Sequence, residues 1–140
     1  MAYPANHLVC KADWKPSSSA DIKMKPCTHA EPGSGRAAFG VQVHNIGDEA
    51  LEVSVVVAYF RSEDLQTCPV KSDPWRVVIA PGDTWWSGLN SCSVGHLHGS
   101  AVQSAAWAVT GNDADPRQTA EHQSSPTVSI KSDGTVVVKQ

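Results

Sequence analysis

Phe39 to Trp86 reads FGVQVHN (39–45), a break at Ile46-Gly47-Asp48-Glu49, ALEVSVVVAYF (50–60), a loop carrying Cys68, and RVVIAPGDTWW (76–86). In the first run Ala37, Phe39, Val41 and Val43 share one face while Gln42 and His44 take the other, the two-residue period of a half-buried strand. Gly47 sits where the chain must reverse, and glycine adopts the positive φ of a tight turn without steric cost. In the second run Leu51, Val53, Val55, Val57 and Tyr59 form an unbroken apolar face. The opposite face, Glu52, Ser54, Val56, Ala58 and Phe60, turns apolar only in its second half, which predicts a strand half-exposed at its start and covered on both sides at its end. Trp75, Val77 and Ile79 then alternate with Arg76, Val78 and Ala80 up to the turn signal Pro81-Gly82-Asp83.

On the N-terminal side, HLVCKADW (7–14) reads as a strand with Leu8, Cys10, Ala12 and Trp14 on one face, and DIKMKPCT (21–28) as its partner. A regular hairpin between them sets Cys10 opposite Cys27 but also sets Ala12 and Trp14 opposite Lys25 and Lys23, a poor match for a shared buried face. A bulge near Pro26 or separate sheets would resolve the conflict, and both remain open at this level. On the C-terminal side, Thr84 to Leu89 is expected to be a strand and Asn90 to Gly99 a loop. Ala101 to Val109 is a strand whose inner face is expected to carry Ala101, Ala105, Trp107 and Val109. GNDADPRQTAEHQSS (111–125) is polar and aperiodic and reads as a mobile excursion, and Thr127–Lys131 with Thr135–Lys139 forms a hairpin about Ser132-Asp133-Gly134. Residues Arg61 to Asp73 are expected to be loop. Short strands with frequent turn signals and no convincing helical period predict one all-β domain over residues 1–140. The architecture expected is an antiparallel β-sandwich of about seven to eight strands.

A chain of 140 residues supports one core that hides roughly two thirds of the unfolded surface. Eleven basic residues against 14 acidic ones give a net charge of −3. They are interspersed, so no electrostatic footprint for nucleic acid is present. The four cysteines, Cys10, Cys27, Cys68 and Cys92, contain no C-x-x-C, which favours two disulfides over a zinc site. Of three possible pairings, Cys10–Cys27 with Cys68–Cys92 is expected because each joins chain neighbours; free thiols in a cytosolic domain are the competing reading. Disulfides imply a secreted or cell-surface protein, although MAYPANHLVC shows neither a basic nor an apolar leader region. The expectation is that a natural leader or upstream region is missing from this chain. No apolar run is long enough to span a membrane.

The positions Val41, Val43, Asn45, Gly47, Val53, Val55, Val57, Pro81, Gly82 and Asp83 follow V-x-V-x-N-x-G … V-x-V … P-G-[DE]. This pattern resembles bacterial extracellular immunoglobulin-like modules of the CARDB type. The resemblance implies that the antiparallel β-sandwich is immunoglobulin-like and is used for adhesion or spacing.

Adjacent strand residues point to opposite faces, so Trp85 and Trp86 cannot share a core. The alternation Trp85, Ser87, Leu89 assigns Trp85 inward and Trp86 outward. An exposed tryptophan can stack on a sugar or anchor a protein, and Trp86 with Trp75 and Arg76 forms the candidate ligand-binding set. The bland reading covers Trp86 with the 61–73 loop or with Arg76. His96 and His98 are weak metal candidates lacking a third ligand, and Asp113 and Asp115 could offer oxygens to calcium but lack the rest of an EF-hand pattern. No G-x-S-x-G, H-E-x-x-H or P-loop occurs, so neither catalysis nor a cofactor is expected. The function expected is a non-enzymatic binding or adhesion module for a carbohydrate or protein partner. The alternative is a structural subunit that self-associates through edge strands such as Thr135 to Val138, or through Met1 to Asn6.

Overall fold

The computed structural model describes residues 8–16, 19–111 and 115–139. Asp113 of the calcium candidate and the segment Met1 to Asn6 lie outside the described residues. In chain order the strands are β1 (Val9–Cys10), β2 (Lys15–Pro16), β3 (Ile22–Glu31), β4 (Arg36–Asn45), β5 (Leu51–Arg61), β6 (Asp64–Thr67) and β7 (Trp75–Ile79). They continue with β8 (Thr84–Trp86), β9 (Ser93–Val94), β10 (Ser100–Thr110), a one-turn helix α1 (Pro116–Thr119), β11 (Gln123–Ser124), β12 (Thr127–Ile130) and β13 (Val136–Lys139).

Two antiparallel sheets result. The first runs β1-β3-β4-β8, with β2 on β3 and β9 on β4; the second runs β13-β12-β10-β5-β6, with β11 on β10 and β7 on β5. The molecule is therefore an all-β, two-sheet sandwich, and both expected disulfides, Cys10–Cys27 and Cys68–Cys92, are formed. The count of thirteen segments exceeds seven to eight because four of them are two-residue pairings and β8 has three residues; eight strands have four residues or more.

Alternation builds the core as expected for facing sheets. Ile22, Met24, Phe39, Val41 and Val43 enter from the first sheet, and Val53, Val55, Val57, Val102 and Ala106 from the second. Phe39 and Tyr59 stack between them with centroids 4.7 Å apart. Asn45 is fully buried and satisfied: its amide nitrogen donates to the Glu49 and Ile79 carbonyls, and its Oδ1 accepts from the Gly47 N–H. The Asn-x-Gly of the turn is thus a buried clamp that ties β4 to the end of β7. A second polar knot lies deep between the sheets, where β10 passes from β12 to β11. There the Ser104 N–H finds Thr28 Oγ1 and Ser125 Oγ at 3.0 and 2.9 Å, and Ser104 Oγ donates to the Gly40 carbonyl.

Several expectations are corrected. Residues 61–73 include β6, which pairs with β5. The strand expected over Thr84 to Leu89 ends at Trp86. On β10 the inward residues are Val102, Ser104, Ala106 and Ala108, while Ala105 and Trp107 face outward into a second apolar cluster with Val56, Ala58, Phe60 and Ala120. Both faces of this central strand carry alanine and valine, so alternation alone cannot say which one meets the other sheet. The cover over the outer face comes from the region expected to be a mobile excursion. Asp115 caps α1 through the Arg117 N–H, and His122 packs its ring against Trp107 and Phe60. Bidentate hydrogen bonds from the Arg117 guanidinium hold Asp115 below the usual carboxylate range. The prediction that β5 is covered on both sides at its end is met by this segment.

The hairpin conflict at the N-terminus also resolves. Cys10 is opposite Cys27, but Lys15 is opposite Met24, so the pairing sum moves from 37 to 39 across residues 11–14. The slip lies on the β1–β2 side, both strands belong to one sheet, and β3 passes through Pro26 without interruption. The face that the disulfide shares with Lys25 is the outer face, so no lysine is buried.

Candidate functional site

The outer face of the first sheet gathers Trp86 with residues from three other strands and their connections. Register places Lys25, Gln42 and Trp86 side by side on β3, β4 and β8, with Lys23, His44 and Thr84 in the next row. Two strand spacings separate Lys25 from Trp86, roughly 10 Å. Trp86 is 39% exposed, and its ring lies over Gly40: a Cβ built there would come within 2.8 Å of Trp86 Cη2. A glycine inside a strand marks a close approach of this kind. Gly40 in turn lies opposite Cys27, so the indole rests beside the Cys10–Cys27 bridge, and the Gln42 amide approaches both sulfurs at 3.9 Å.

The other end of the face is held by Trp14. Its ring lies 5.4 Å from that of His44 and carries the Lys25 ammonium 4.9 Å from its centroid. His44 Nδ1 shares a 2.9 Å hydrogen bond with Thr84 Oγ1. Two indoles thus flank a polar strip made of an amide, an imidazole and an ammonium. Such a face offers apolar ring surface for stacking together with groups that can donate and accept hydrogen bonds.

Trp86 is outward and Trp85 inward, packed against the main core, as the alternation predicts. Neither bland cover of Trp86 is present, because the 61–73 segment pairs with the second sheet and Arg76 lies on that sheet's outer face. Trp75 and Arg76, however, do not join Trp86. Trp75 meets Trp85 edge-on at 5.3 Å and closes the margin between the two sheets, with the Lys71 ammonium 5.5 Å from its ring centroid. Arg76 Nη1 donates to Ser54 Oγ. The three sequence candidates occupy three separate places.

His96 and His98 flank the buried Leu97. The His98 ring sits against Gly35, His96 takes φ +58°, and its carbonyl accepts from Arg61 Nη2. Among the described residues no group of three or more His, Cys, Asp or Glu side chains could hold a metal ion. Asp115 is engaged by Arg117 as the helix cap. Sequence reasoning placed Trp14 on one face with Cys10 but did not count it among the site residues, and it did not use the mid-strand Gly40, the one local signal of the overlying ring.

The arrangement defines a disulfide-bonded β-sandwich with an aromatic outer face on its smaller sheet. No family model, no curated protein and no solved structure matches the chain, and none of the described helices is long and apolar enough to cross a membrane.

Proposed function

We propose that the protein is a non-enzymatic, extracellular binding module that recognises a carbohydrate through Trp86 and its neighbours. The observation that carries this reading is an indole left exposed on a flat sheet face beside Gln42 and in line with Trp14 and His44. Pyranose rings present an apolar C–H face and a rim of hydroxyls, which suits stacking flanked by amide and imidazole groups. Secretion or surface display is supported by the two disulfides, which persist in oxidising compartments. The resemblance to CARDB-type modules supports adhesion at a surface over catalysis.

Affinity electrophoresis of the protein through gels containing neutral polysaccharides tests this reading. Retardation by at least one polysaccharide is expected, with Trp86→Ala losing it at unchanged melting temperature, since an aromatic hot spot contributes about 2 kcal/mol or more. Migration of the parent unaffected by every polysaccharide, alongside capture of a surface protein that Trp86→Ala abolishes, would move the same face to a protein partner.

A second reading, a structural subunit joined through edge strands, rests on β13, which among the described residues pairs only with β12. An edge of Val136, Val137 and Val138 can accept another strand. A monomer at all concentrations in light scattering counts against it.

A further inference from the structure

The outer face of the second sheet carries a groove of about 650 Å³ on the opposite side of the sandwich from the Trp14–Trp86 face. Its floor is made of polar side chains, Gln103, Thr127 and Ser129, which alternation turns outward from β10 and β12, with the Gln103 amide nitrogen donating to the Ser125 carbonyl at 3.0 Å. Phe60 and Glu63 rise along one wall, Lys131 and Lys139 along the other. The volume lies within the usual range for small-molecule sites.

The Glu63 wall shows a local conflict between sequence and backbone. The turn from β5 to β6 has two central residues, Ser62 at φ +49° and Glu63 at φ +74°. Both must be left-handed in a turn of this kind, which normally selects Asn-Gly. Glutamate gains nothing in backbone energy from that position, and such strain concentrates where a side chain serves a function. The turn is fixed to the floor, because the Ser62 N–H donates to the Ala101 carbonyl at 2.7 Å. Neither Glu63 nor either lysine takes part in the two ion pairs found among the described residues, Lys71–Asp73 and Arg117–Asp115.

We propose that this groove is a second binding site, for a carboxylated saccharide. The two lysines would receive the carboxylate, Glu63 would accept hydrogen bonds from ring hydroxyls, the floor would satisfy further hydroxyls, and Phe60 would take a C–H face. The opposed glutamate disfavours densely charged sulfated or phosphorylated ligands, because a like charge on the facing wall raises the cost of binding them. The proposal is independent of any role for Trp86.

Titration of the isotope-labelled full chain with trigalacturonate, followed by amide NMR, tests it, with maltotriose as the neutral probe and inorganic triphosphate as the densely charged one. Shifts at Gln103, Thr127 and Ser129 are expected with trigalacturonate, at an affinity about tenfold above that for either comparison probe. The double variant Lys131→Ala/Lys139→Ala is expected to lose about tenfold in affinity. Glu63→Gly relieves the left-handed strain, so it is expected to hold or raise the melting temperature while weakening trigalacturonate severalfold. Absence of trigalacturonate shifts at tens of millimolar, equal affinity for maltotriose, tighter triphosphate binding, or a Glu63→Gly protein that binds as the parent does would each overturn the proposal.

Discussion

The Lys25 ammonium sits 4.9 Å from the centre of the Trp14 indole, on the solvent side of the smaller sheet. The contact holds an N-terminal tryptophan over β3 although residues 11–14 lie outside the ladder. A cation over an aromatic face at a partly exposed site contributes about 0.5–1 kcal/mol. A double-mutant cycle of Trp14→Ala and Lys25→Gln, read by denaturant unfolding, should return a coupling of that size. Trp14→Ala should also weaken polysaccharide retardation, whereas a coupling near zero would mean that the indole is placed by other contacts.

Gly40→Ala should disturb the candidate face from beneath. The new Cβ would meet Trp86 Cη2 at 2.8 Å, and also the Gly88 carbonyl at 2.6 Å, where backbone must yield. Overpacking of this kind costs about 1–3 kcal/mol. Unfolding measurements should show that loss, and tryptophan fluorescence should show a more solvent-exposed indole.

Asn45→Ala should be among the most damaging single substitutions. It removes two donated hydrogen bonds and one accepted one from a fully buried site. Unpaired buried groups cost about 1–3 kcal/mol each, so a loss of about 3 kcal/mol or more is expected in urea unfolding. Asn45→Asp should lose nearly as much, because a carboxylate cannot donate to the Glu49 and Ile79 carbonyls.

Replacing Cys68 and Cys92 together by alanine should lower stability by about 3 kcal/mol on the loop-entropy model. The bridge spans 24 residues, holding the end of β6 to the turn before β9. Reduction of the parent protein opens Cys10–Cys27 as well and should lower the thermal midpoint further than this variant does.

Acid should loosen the cover over Trp107. Hydrogen bonds from Arg117 depress the Asp115 carboxyl, so its stabilising contribution is present above the unfolded aspartate value of about 3.9 and is lost as pH falls through the lower folded value. Asp133 shifts in the same direction through the Thr135 N–H. Asp115→Asn should flatten the acid limb of a stability–pH curve and cost no more than about 1 kcal/mol at neutral pH through the lost ion pair, since asparagine still caps the helix. Indole side-chain NMR, which resolves Trp107 from the other four tryptophans, checks the location.

Much of the fold was legible because its signals are local. The alternation of Phe39, Val41 and Val43, and of Leu51 through Tyr59, marks core faces that the structure retains. The adjacency of Trp85 and Trp86 required one outward indole, and that indole is exposed. The candidate site was legible only in Trp86. Trp75 was a fair guess by chain proximity, yet it belongs to the opposite sheet, where it meets Trp85 across the sandwich margin.

Sequence by itself determined the all-β class, the turns at Gly82 and Gly134 and the opposite facing of Trp85 and Trp86, and it favoured the neighbour-pairing disulfides among three pairings. Each depends on spacing of a few residues or on closure of a short loop. The reversal at 46–49 forms without the positive φ expected of Gly47. Tertiary structure alone decided that Ala105 and Trp107 face away from the other sheet, that residues 115–124 cover them, that the register slips between Cys10 and Lys15, and that Trp14 joins Trp86. The physical reason is that a period of two distinguishes the faces of a strand without naming the core-facing one when both are apolar. A slip in register or a long-range cover leaves no trace in local spacing.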